Sequence, residues 1–305
     1  MSVARLAAAL LALALGACAT LPPPPAHPPR AVPLAPAPKS EQPVIAFVLG
    51  GGGARGFAHI GALKVLDEAG VRADLVVGAS AGSIIGALYA GGIRNDALVQ
   101  AALAVQREEV LDFVFPNRGF IDGERLQEYV NRELHGRLIE ELDMPLLVVA
   151  TDLASGERVV FNRGDAGMAV RASCSVPAVF QPTPIEGREY VDGGLTGPVP
   201  VKVARQMGAD VVIAIDVSRH PDERRDLGST AALLTQTVLI MERALAREEE
   251  KLADVVVRPD LEKISASDLA ARSEVIRAGE EAARAALAEV RRAIATATPV
   301  AAPAR

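Results

Sequence analysis

Two patterns of apolar residues follow one another along the chain: continuous runs of strand length and stretches with helical spacing. Val44 to Leu49 is a continuous apolar run bounded by glycine, which is the pattern of a strand buried on both faces of a sheet. Further runs of strand length lie at 75–77, 146–150, 159–161, 211–217 and 255–257. Helical spacing predicts helices at 58–68, from 81 onward, and at 96–105, 123–134, 199–207, 230–250 and 267–293. We expect Gly70 to end the first helix, and Asn95 and Asp122 to cap two others.

Strands that alternate with helices build βαβ units, in which helices cover a largely parallel sheet. The sequence therefore predicts an α/β fold, a single three-layer α/β/α domain with a mostly parallel central sheet, from residue 44 to residue 294. Half of the 305 residues are hydrophobic, which is enough for a core of that size. The tail 295–305 is predicted to be disordered.

The N-terminal segment differs in composition from the rest. Arg5 precedes an apolar run, Leu6 to Ala17, that is typical of a secretory signal peptide and too short to cross a bilayer. The run ends in Leu15-Gly16-Ala17-Cys18, which resembles the bacterial lipobox, so residues 1–17 are predicted to be removed and Cys18 to be lipidated. An ordinary signal peptide with an incidental cysteine is the alternative. Residues 18–43, rich in Pro and Ala, are predicted to form an extended tether.

Composition excludes one class of partner. The formal net charge is −6, aromatic residues make up 3% of the chain and Trp is absent, so no nucleic-acid partner is expected. No polybasic patch is expected either, so membrane attachment is assigned to Cys18. Ala19 follows it, rather than the aspartate that favours inner-membrane retention in enterobacterial lipoproteins, and we expect an outer-membrane anchor facing the periplasm. Cys174 then has no disulfide partner and is predicted to be a buried core residue.

A glycine-rich loop, Gly51-Gly52-Gly53-Ala54-Arg55-Gly56, joins the first strand to the first helix. Glycine permits positive φ angles and close approach of the main chain, so several amides there can converge on a negative charge. The loop matches the G-x-G-x-x-G pattern of pyrophosphate binding, but it also suits an oxyanion hole. A dinucleotide site needs an acidic residue at the end of the second strand, whereas Asp74 lies at its beginning. An oxyanion hole is therefore favoured.

The second strand ends in Gly78-Ala79-Ser80-Ala81-Gly82, a G-x-S-x-G motif. In a nucleophile elbow the two glycines let the chain turn sharply from strand to helix, which exposes the serine hydroxyl above the sheet. A strand precedes this motif, a helix of small residues follows it, and the glycine loop lies one βα unit upstream. Ser80 is therefore the predicted nucleophile.

The base that activates Ser80 is harder to identify, because the chain has four histidines. His27 lies in the tether, His135 ends a predicted helix, and a structural role is predicted for His59. His220 can complete the Ser, Asp, His order of an α/β-hydrolase triad, although its charged neighbours are typical of a solvated loop.

Asp192 is the other candidate base. It ends a short apolar run and is followed by Gly193 and Gly194, so its carboxylate can project from a tight turn; an ordinary β-turn is the alternative. The pKa of an unperturbed aspartate is about 4. Catalysis therefore requires a desolvated site that raises this pKa, and hydrogen-bond contact with the serine.

Taken in order, the glycine loop with basic Arg55, the elbow and the Asp-Gly-Gly turn resemble the patatin-like phospholipase family. The resemblance runs from about residue 44 to residue 217 and includes the stretches 150–157 and 171–177. It implies that a Ser–Asp dyad cleaves acyl esters of phospholipids or lysophospholipids, without a metal or another cofactor. Ser80 then attacks the ester carbonyl and Asp192 accepts its proton. The implied oxyanion donors are the amides of Gly51, Gly52, Gly53 and Ala54, and the supporting motif residues are Arg55, Gly56, Gly78, Gly82, Gly193 and Gly194.

Two further positions match the family. Arg55 stands at its basic position and either orients the glycine loop, attracts a phosphate headgroup or is a plain surface charge. Asp152 stands at a commonly acidic position, and a structural role is predicted for it. Two alternatives to the dyad hydrolase stay open: an esterase that uses His220, and a lipoprotein that binds lipid without turnover. The sequence does not indicate a protein partner.

Overall fold

The computed structural model describes residues 27–36, 42–115, 117–218 and 227–297. The predicted signal peptide, Cys18 and His220 lie outside the described residues, as does the end of the chain from residue 298. None of the described helices is long and apolar enough to span a membrane.

Within these ranges, eight strands form one sheet. They are β1 Ile45–Leu49, β2 Leu75–Ala79, β3 Leu146–Asp152, β4 Arg158–Phe161, β5 Thr183–Ile185, β6 Arg188–Asp192, β7 Val211–Ile215 and β8 Val255–Val257. Their order is β5-β6-β3-β2-β1-β7-β8, and β4 also pairs with β3. The five adjacent strands β3, β2, β1, β7 and β8 are parallel to one another. Strands β4 and β6 run antiparallel to β3, and β5 runs antiparallel to β6. The sheet is therefore mostly parallel, as predicted.

Helices cover both faces of this sheet. Those in the described ranges are α1 Phe57–Glu68, α2 Ala81–Ala90, α3 Asn95–Ala104, α4 Arg107–Val110, α5 Glu124–Glu133, α6 Ala166–Ser173, α7 Val201–Gln206, α8 Thr230–Glu250 and α9 Arg272–Thr296. Phe47 and Leu49 face a core shared with α1, α2, α5, α6 and α9, and Ala46 and Val48 face a core shared with α7 and the end of α8. This alternation follows from the two-residue period of a strand. The three-layer prediction is confirmed.

Two predicted helix caps are wrong. Asn95 is the first residue of α3 and not its cap. Asp122 binds the buried guanidinium of Arg171, and Asp112 instead accepts the N–H of Gly123, at 2.6 Å, at the start of α5. A charged donor binds a carboxylate more strongly than a neutral backbone amide does, so Asp122 pairs with the arginine and does not cap the helix.

Residues 27–36, part of the predicted tether, lie against the domain. Arg30 N–H donates to Arg163 O at 2.9 Å, and Val32 N–H donates to Asn162 Oδ1 at 3.0 Å. Hydrogen bonds to the backbone and to a side chain thus hold this stretch in place. At the other end, α9 continues to Thr296, so the first two residues of the predicted tail are helical.

Candidate active site

Ser80 stands at the turn between β2 and α2. Its φ of 51° and ψ of −128° form a conformation that L-residues rarely adopt. Close packing requires the flanking glycines: a β-carbon on Gly78 would stand 2.6 Å from Gly82 O, and one on Gly82 would stand 2.1 Å from Leu49 O. The strained turn is the strand-to-helix elbow that the G-x-S-x-G motif predicts.

The side chain of Asp192 contacts the Ser80 hydroxyl. Ser80 Oγ donates to Asp192 Oδ2 at 2.6 Å, and both residues are buried. The other carboxylate oxygen, Oδ1, accepts from Gly194 N–H at 2.6 Å, and Asp192 N–H donates to Ser175 O at 3.0 Å. The two predicted catalytic residues are therefore in direct contact, with the carboxylate fixed on both sides.

Burial changes the acidity of Asp192. Loss of hydration raises its pKa from 3.8 to about 6, against the opposing effect of the hydrogen bonds from Ser80 and Gly194. A carboxylate with a pKa close to neutrality is a stronger base, yet is still mostly ionised at neutral pH. The site thus supplies the basicity that an isolated aspartate lacks.

The glycine loop lies against the elbow. A β-carbon on Gly51 would stand 3.2 Å from Ser80 Cβ, and one on Gly52 would stand 2.7 Å from Val217 O. Any residue with a side chain at Gly52 would therefore displace the chain that follows β7. Glycine is required here because the main chain approaches its neighbours so closely.

The amides of the loop fall into two groups. Gly51 N–H donates to Pro198 O at 2.9 Å, and Ala54 N–H donates to a carbonyl of another loop at 2.7 Å. Among the residues that the structure describes, none accepts a hydrogen bond from the N–H of Gly52 or Gly53. Of the four predicted oxyanion donors, these two are available in this conformation.

Arg55 and His59 hold the loop in place. Arg55 is 4% exposed and its guanidinium donates to Ser218 O at 2.6 Å, so its interpretation as a surface charge is wrong and a role in orienting the loop is supported. His59 Nε2 lies 2.8 Å from Gly50 O. Burial lowers the pKa of His59 to about 4, so the imidazole is neutral and donates this hydrogen bond. The structural role predicted for His59 is confirmed.

Two hydroxyls fix the backbone of the dyad. Ser173 Oγ accepts from Ser80 N–H at 2.8 Å and donates to Val149 O at 2.5 Å. Thr151 Oγ1 donates to Asp192 O at 2.9 Å. Both residues lie in stretches that the family resemblance includes, but neither of them was singled out from the sequence.

Asp152 closes the turn between β3 and β4. Its carboxylate accepts from Arg188 Nε at 2.6 Å and from Ser155 N–H at 2.9 Å. The bond from Arg188 is the main reason why the pKa of Asp152 lies well below its usual range. These contacts support the structural role predicted for this residue.

A further carboxylate, Glu242, approaches the dyad from α8. Asp192 Oδ1 and Glu242 Oε1 lie 2.9 Å and 3.2 Å from the point where a β-carbon on Gly194 would stand. Burial and the negative charge of Asp192 raise the pKa of Glu242 from 4.5 to about 7. No sequence signal indicated this residue, because it is a single acidic position inside a long helix.

Ser80 borders a cavity of about 420 Å³. Its walls are mostly apolar and include Phe57, Ile84, Leu88, Leu126, Val176 and Phe180. Cys174 also lines it; burial raises the pKa of its thiol, so it is a protonated core residue, as predicted. A cavity of this size and polarity suits a hydrocarbon chain. In the described part of the chain, no group of three or more His, Cys, Asp or Glu side chains is arranged to hold a metal ion.

Comparison with known sequences decides the family. The sequence profile described as Patatin-like phospholipase matches residues 47–205. The chain belongs to the patatin-like phospholipase family. The matched region contains the glycine loop, Ser80 and Asp192, so the resemblance inferred from the three motifs is confirmed.

Individual patatin-like relatives share this domain. The chain is 37% identical over 228 residues to Patatin-like phospholipase domain-containing protein 6 of Mus musculus, which covers 72% of this chain and 16% of that protein. It is 35% identical over 182 residues to an uncharacterized NTE family protein of Mycobacterium tuberculosis, which covers 59% of this chain and 50% of that protein. The chain thus spans at most half the length of these relatives. Its fold is similar to that of VipD from Legionella pneumophila, with a TM-score of 0.56, 12% identity, and coverage of 92% of this chain and 72% of that one.

Proposed function

We propose that this chain hydrolyses the carboxylic ester bond of a phospholipid or lysophospholipid through a Ser80–Asp192 dyad. The observation that carries the proposal is the 2.6 Å hydrogen bond from Ser80 Oγ to Asp192 Oδ2, beside an apolar cavity. Membership of the patatin-like phospholipase family supports a lipid substrate. The raised pKa of Asp192 supports its role as the base.

In the first half of the reaction, Ser80 Oγ attacks the ester carbonyl carbon while its proton passes to Asp192 Oδ2. The carbonyl oxygen becomes an oxyanion, for which the N–H groups of Gly52 and Gly53 are the available donors. The tetrahedral intermediate then breaks the bond to the alcohol oxygen, and Asp192 returns the proton to that alcohol. The acyl group is left as an ester on Ser80.

In the second half, Asp192 accepts a proton from water as the water oxygen attacks the acyl carbon. The same amides stabilise the second oxyanion. Ser80 Oγ leaves, recovers its proton from Asp192, and the fatty acid is released. The complete cycle consumes one water molecule and restores both residues.

The test is release of fatty acid from a mixed panel of phospholipids and lysophospholipids. Ser80→Ala and Asp192→Asn should both abolish release with the fold retained. Matched controls are Ser267→Ala, which also removes a hydroxyl that lines the cavity, and Asp260→Asn, on an exposed residue; both should stay active. Activity retained in Asp192→Asn would place the base elsewhere and favour the esterase that uses His220, which His220→Asn tests directly.

A fluorophosphonate probe separates the hydrolase from a lipoprotein that binds lipid without turnover. Covalent labelling requires an activated serine hydroxyl. We expect the wild type to be labelled and Ser80→Ala to stay unlabelled. A folded wild type that resists the probe would favour the silent lipid-binding protein.

We further propose that Cys18 is acylated and anchors the domain in the outer membrane, facing the periplasm. The support is the lipobox-like sequence Leu15–Cys18 and the alanine that follows it. An alkyne fatty acid supplied to cells should label the wild type and not Cys18→Ala. Absence of label contradicts the acylation, and recovery of the wild type in the inner membrane contradicts the location.

A further inference from the structure

Helix α8 packs a mixed face, which includes the half-buried Leu239 and the buried Ala246, against the domain and turns a row of apolar side chains toward solvent. The side chains that it buries or half-buries against the domain include Gln236, Arg243 and Glu250. Its exposed side chains include Leu234 at 64%, Val238 at 40%, Met241 at 61% and Leu245 at 38%. A surface helix ordinarily turns its apolar stripe to the core and polar residues to solvent, so this exposed apolar row is unusual.

These four apolar residues, the α8 stripe, share one face of the helix, because four, three and four positions separate them. Glu242 lies four positions after Val238 and three before Leu245, so it borders the same face. Its carboxylate approaches Asp192 beside Gly194. The stripe therefore runs along the edge of α8 that is next to the catalytic pair.

A second exposed apolar group, the cavity rim, consists of Phe113, Val176 and Val179. All three line the cavity that Ser80 borders, and they are 61%, 40% and 44% exposed. Val176 directly follows Ser175, whose carbonyl accepts the N–H of Asp192. The stripe and the rim thus each lie on a segment that approaches Asp192, and exposed apolar groups of this kind mark contact surfaces.

The arrangement favours a lipid layer as the occupant. A protein bound permanently over the stripe and the rim would cover the cavity and keep substrate from Ser80, whereas a lipid layer brings substrate to it. From residue 230 to residue 241 the helix has no charged side chain, so attraction to charged headgroups is not required. Interfacial helices insert an apolar face between headgroups and keep the opposite face outside the acyl chains, and here the domain covers that opposite face.

We propose that the α8 stripe and the cavity rim dock onto the surface of an electrically neutral phospholipid bilayer and hold the cavity against it. The inference rests on the proposed function, since docking serves catalysis only when the substrate is a lipid of that layer. It is independent of Cys18, because an acyl anchor tethers the chain without orienting the domain.

The test compares two double variants in the full chain. Leu234→Gln with Met241→Gln removes the two most exposed residues of the stripe, and Leu103→Gln with Leu153→Gln is the matched control on exposed leucines outside α8 and outside the cavity lining. Glutamine is nearly as good a helix former as leucine or methionine, so α8 should persist. The N-terminal segment is the same in every protein, so it does not account for a difference between them.

Two substrates separate docking from chemistry. The stripe variant should hydrolyse monomeric p-nitrophenyl butyrate at the wild-type rate, which also verifies its fold, and should hydrolyse phosphatidylcholine vesicles roughly tenfold more slowly. The control variant should match the wild type on both. Equal vesicle rates in the stripe variant and the wild type overturn the inference. A wild type that hydrolyses neither substrate overturns the proposed function instead.

Flotation with phosphatidylcholine vesicles tests docking without turnover, with Ser80→Ala present in every protein. The stripe variant should float roughly tenfold less than the control variant. Equal flotation contradicts docking through α8, whether or not the chain is a hydrolase. A dimer that the stripe substitutions convert to a monomer, with flotation unchanged, would assign the surface to a second copy of the chain and overturn the inference.

Discussion

Asp152 and Asp192 occupy nearby positions on the antiparallel strands β3 and β6, yet their acidities change in opposite directions. Asp152 pairs in register with Tyr190, and Asp192 with Ala150. Arg188 holds the pKa of Asp152 well below its usual range, whereas burial raises that of Asp192 to about 6. A bound cation makes one carboxylate a structural anchor. Burial beside a hydroxyl and an amide raises the basicity of the other, which is the proposed base.

The largest expected effect is on turnover. Asp192→Asn removes the proposed base, and general-base catalysis contributes about 10²–10⁴-fold, so kcat/KM for ester hydrolysis should fall by that factor. Asp152→Asn, the matched control on the neighbouring strand, should retain activity within about threefold, because its carboxylate contacts Arg188 and not Ser80. Comparable losses in both variants would mean that the dyad contact is not what distinguishes the two aspartates.

The same two variants should change stability in opposite directions. The folded-state pKa of Asp192 is raised from 3.8 to about 6, so its stabilising contribution is complete below the unfolded pKa and is lost as pH rises through 6. At neutral pH the ionised form costs on the order of 3 kcal/mol, so Asp192→Asn should raise the free energy of unfolding by up to about that amount.

For Asp152 the effect of ionisation on stability has the opposite sign. Its folded-state pKa is lowered, so it stabilises the fold above the unfolded pKa of about 4, and the contribution is lost as pH falls through the folded value. Asp152→Asn should therefore lower the free energy of unfolding at neutral pH. Urea titrations at neutral pH measure the free energy of unfolding of both variants. A change in the same direction in both would contradict the comparison.

The sequence predicted the elements that rest on local patterns. The apolar run at β1, the elbow at Ser80 and the helical spacing of α1 each depend on residues adjacent in the chain, and all are present. The Asp-Gly-Gly turn was predicted as a catalytic position, because its order relative to the other motifs was informative where the turn alone was not.

Features that depend on distant contacts had no local signal. The buried state of Arg55 arises from a carbonyl 163 positions later in the chain. Asp122 failed as a cap because Arg171 reaches it from another helix. The strands of the β5–β6 hairpin read Thr-Pro-Ile and Arg-Glu-Tyr-Val-Asp, so a proline and polar residues interrupt them and neither is a continuous apolar run. Glu242 was also missed because its proximity to Asp192 is a contact between distant parts of the chain. It offers two finer tests of the comparison between Asp152 and Asp192.

Glu242→Lys should make Asp192 resemble Asp152. A cation within about 4–6 Å lowers a carboxylate pKa by about 1–3 units, so the substituted ammonium should weaken Asp192 as a base. We expect kcat/KM at neutral pH to fall about tenfold on a monomeric ester. Glu248→Lys, with the same charge change at an exposed position of α8, is the control and should match the wild type. An unaffected Glu242→Lys would show that a neighbouring cation does not decide which aspartate is the base.

Glu242→Gln should have the smallest effect, confined to the pH profile. In the wild type, Asp192 loses its proton near pH 6 and Glu242 near pH 7, and the second negative charge increases the proton affinity of Asp192. The rate kcat/KM should therefore rise in two steps, the upper one by about two- to threefold. Glu242→Gln should retain the step near 6 and lose the step near 7, because the glutamine does not ionise. The profile is measured on a monomeric ester, so that α8 contacts with lipid do not contribute. An upper step that persists in Glu242→Gln would assign it to another group and leave burial alone as the source of the basicity of Asp192.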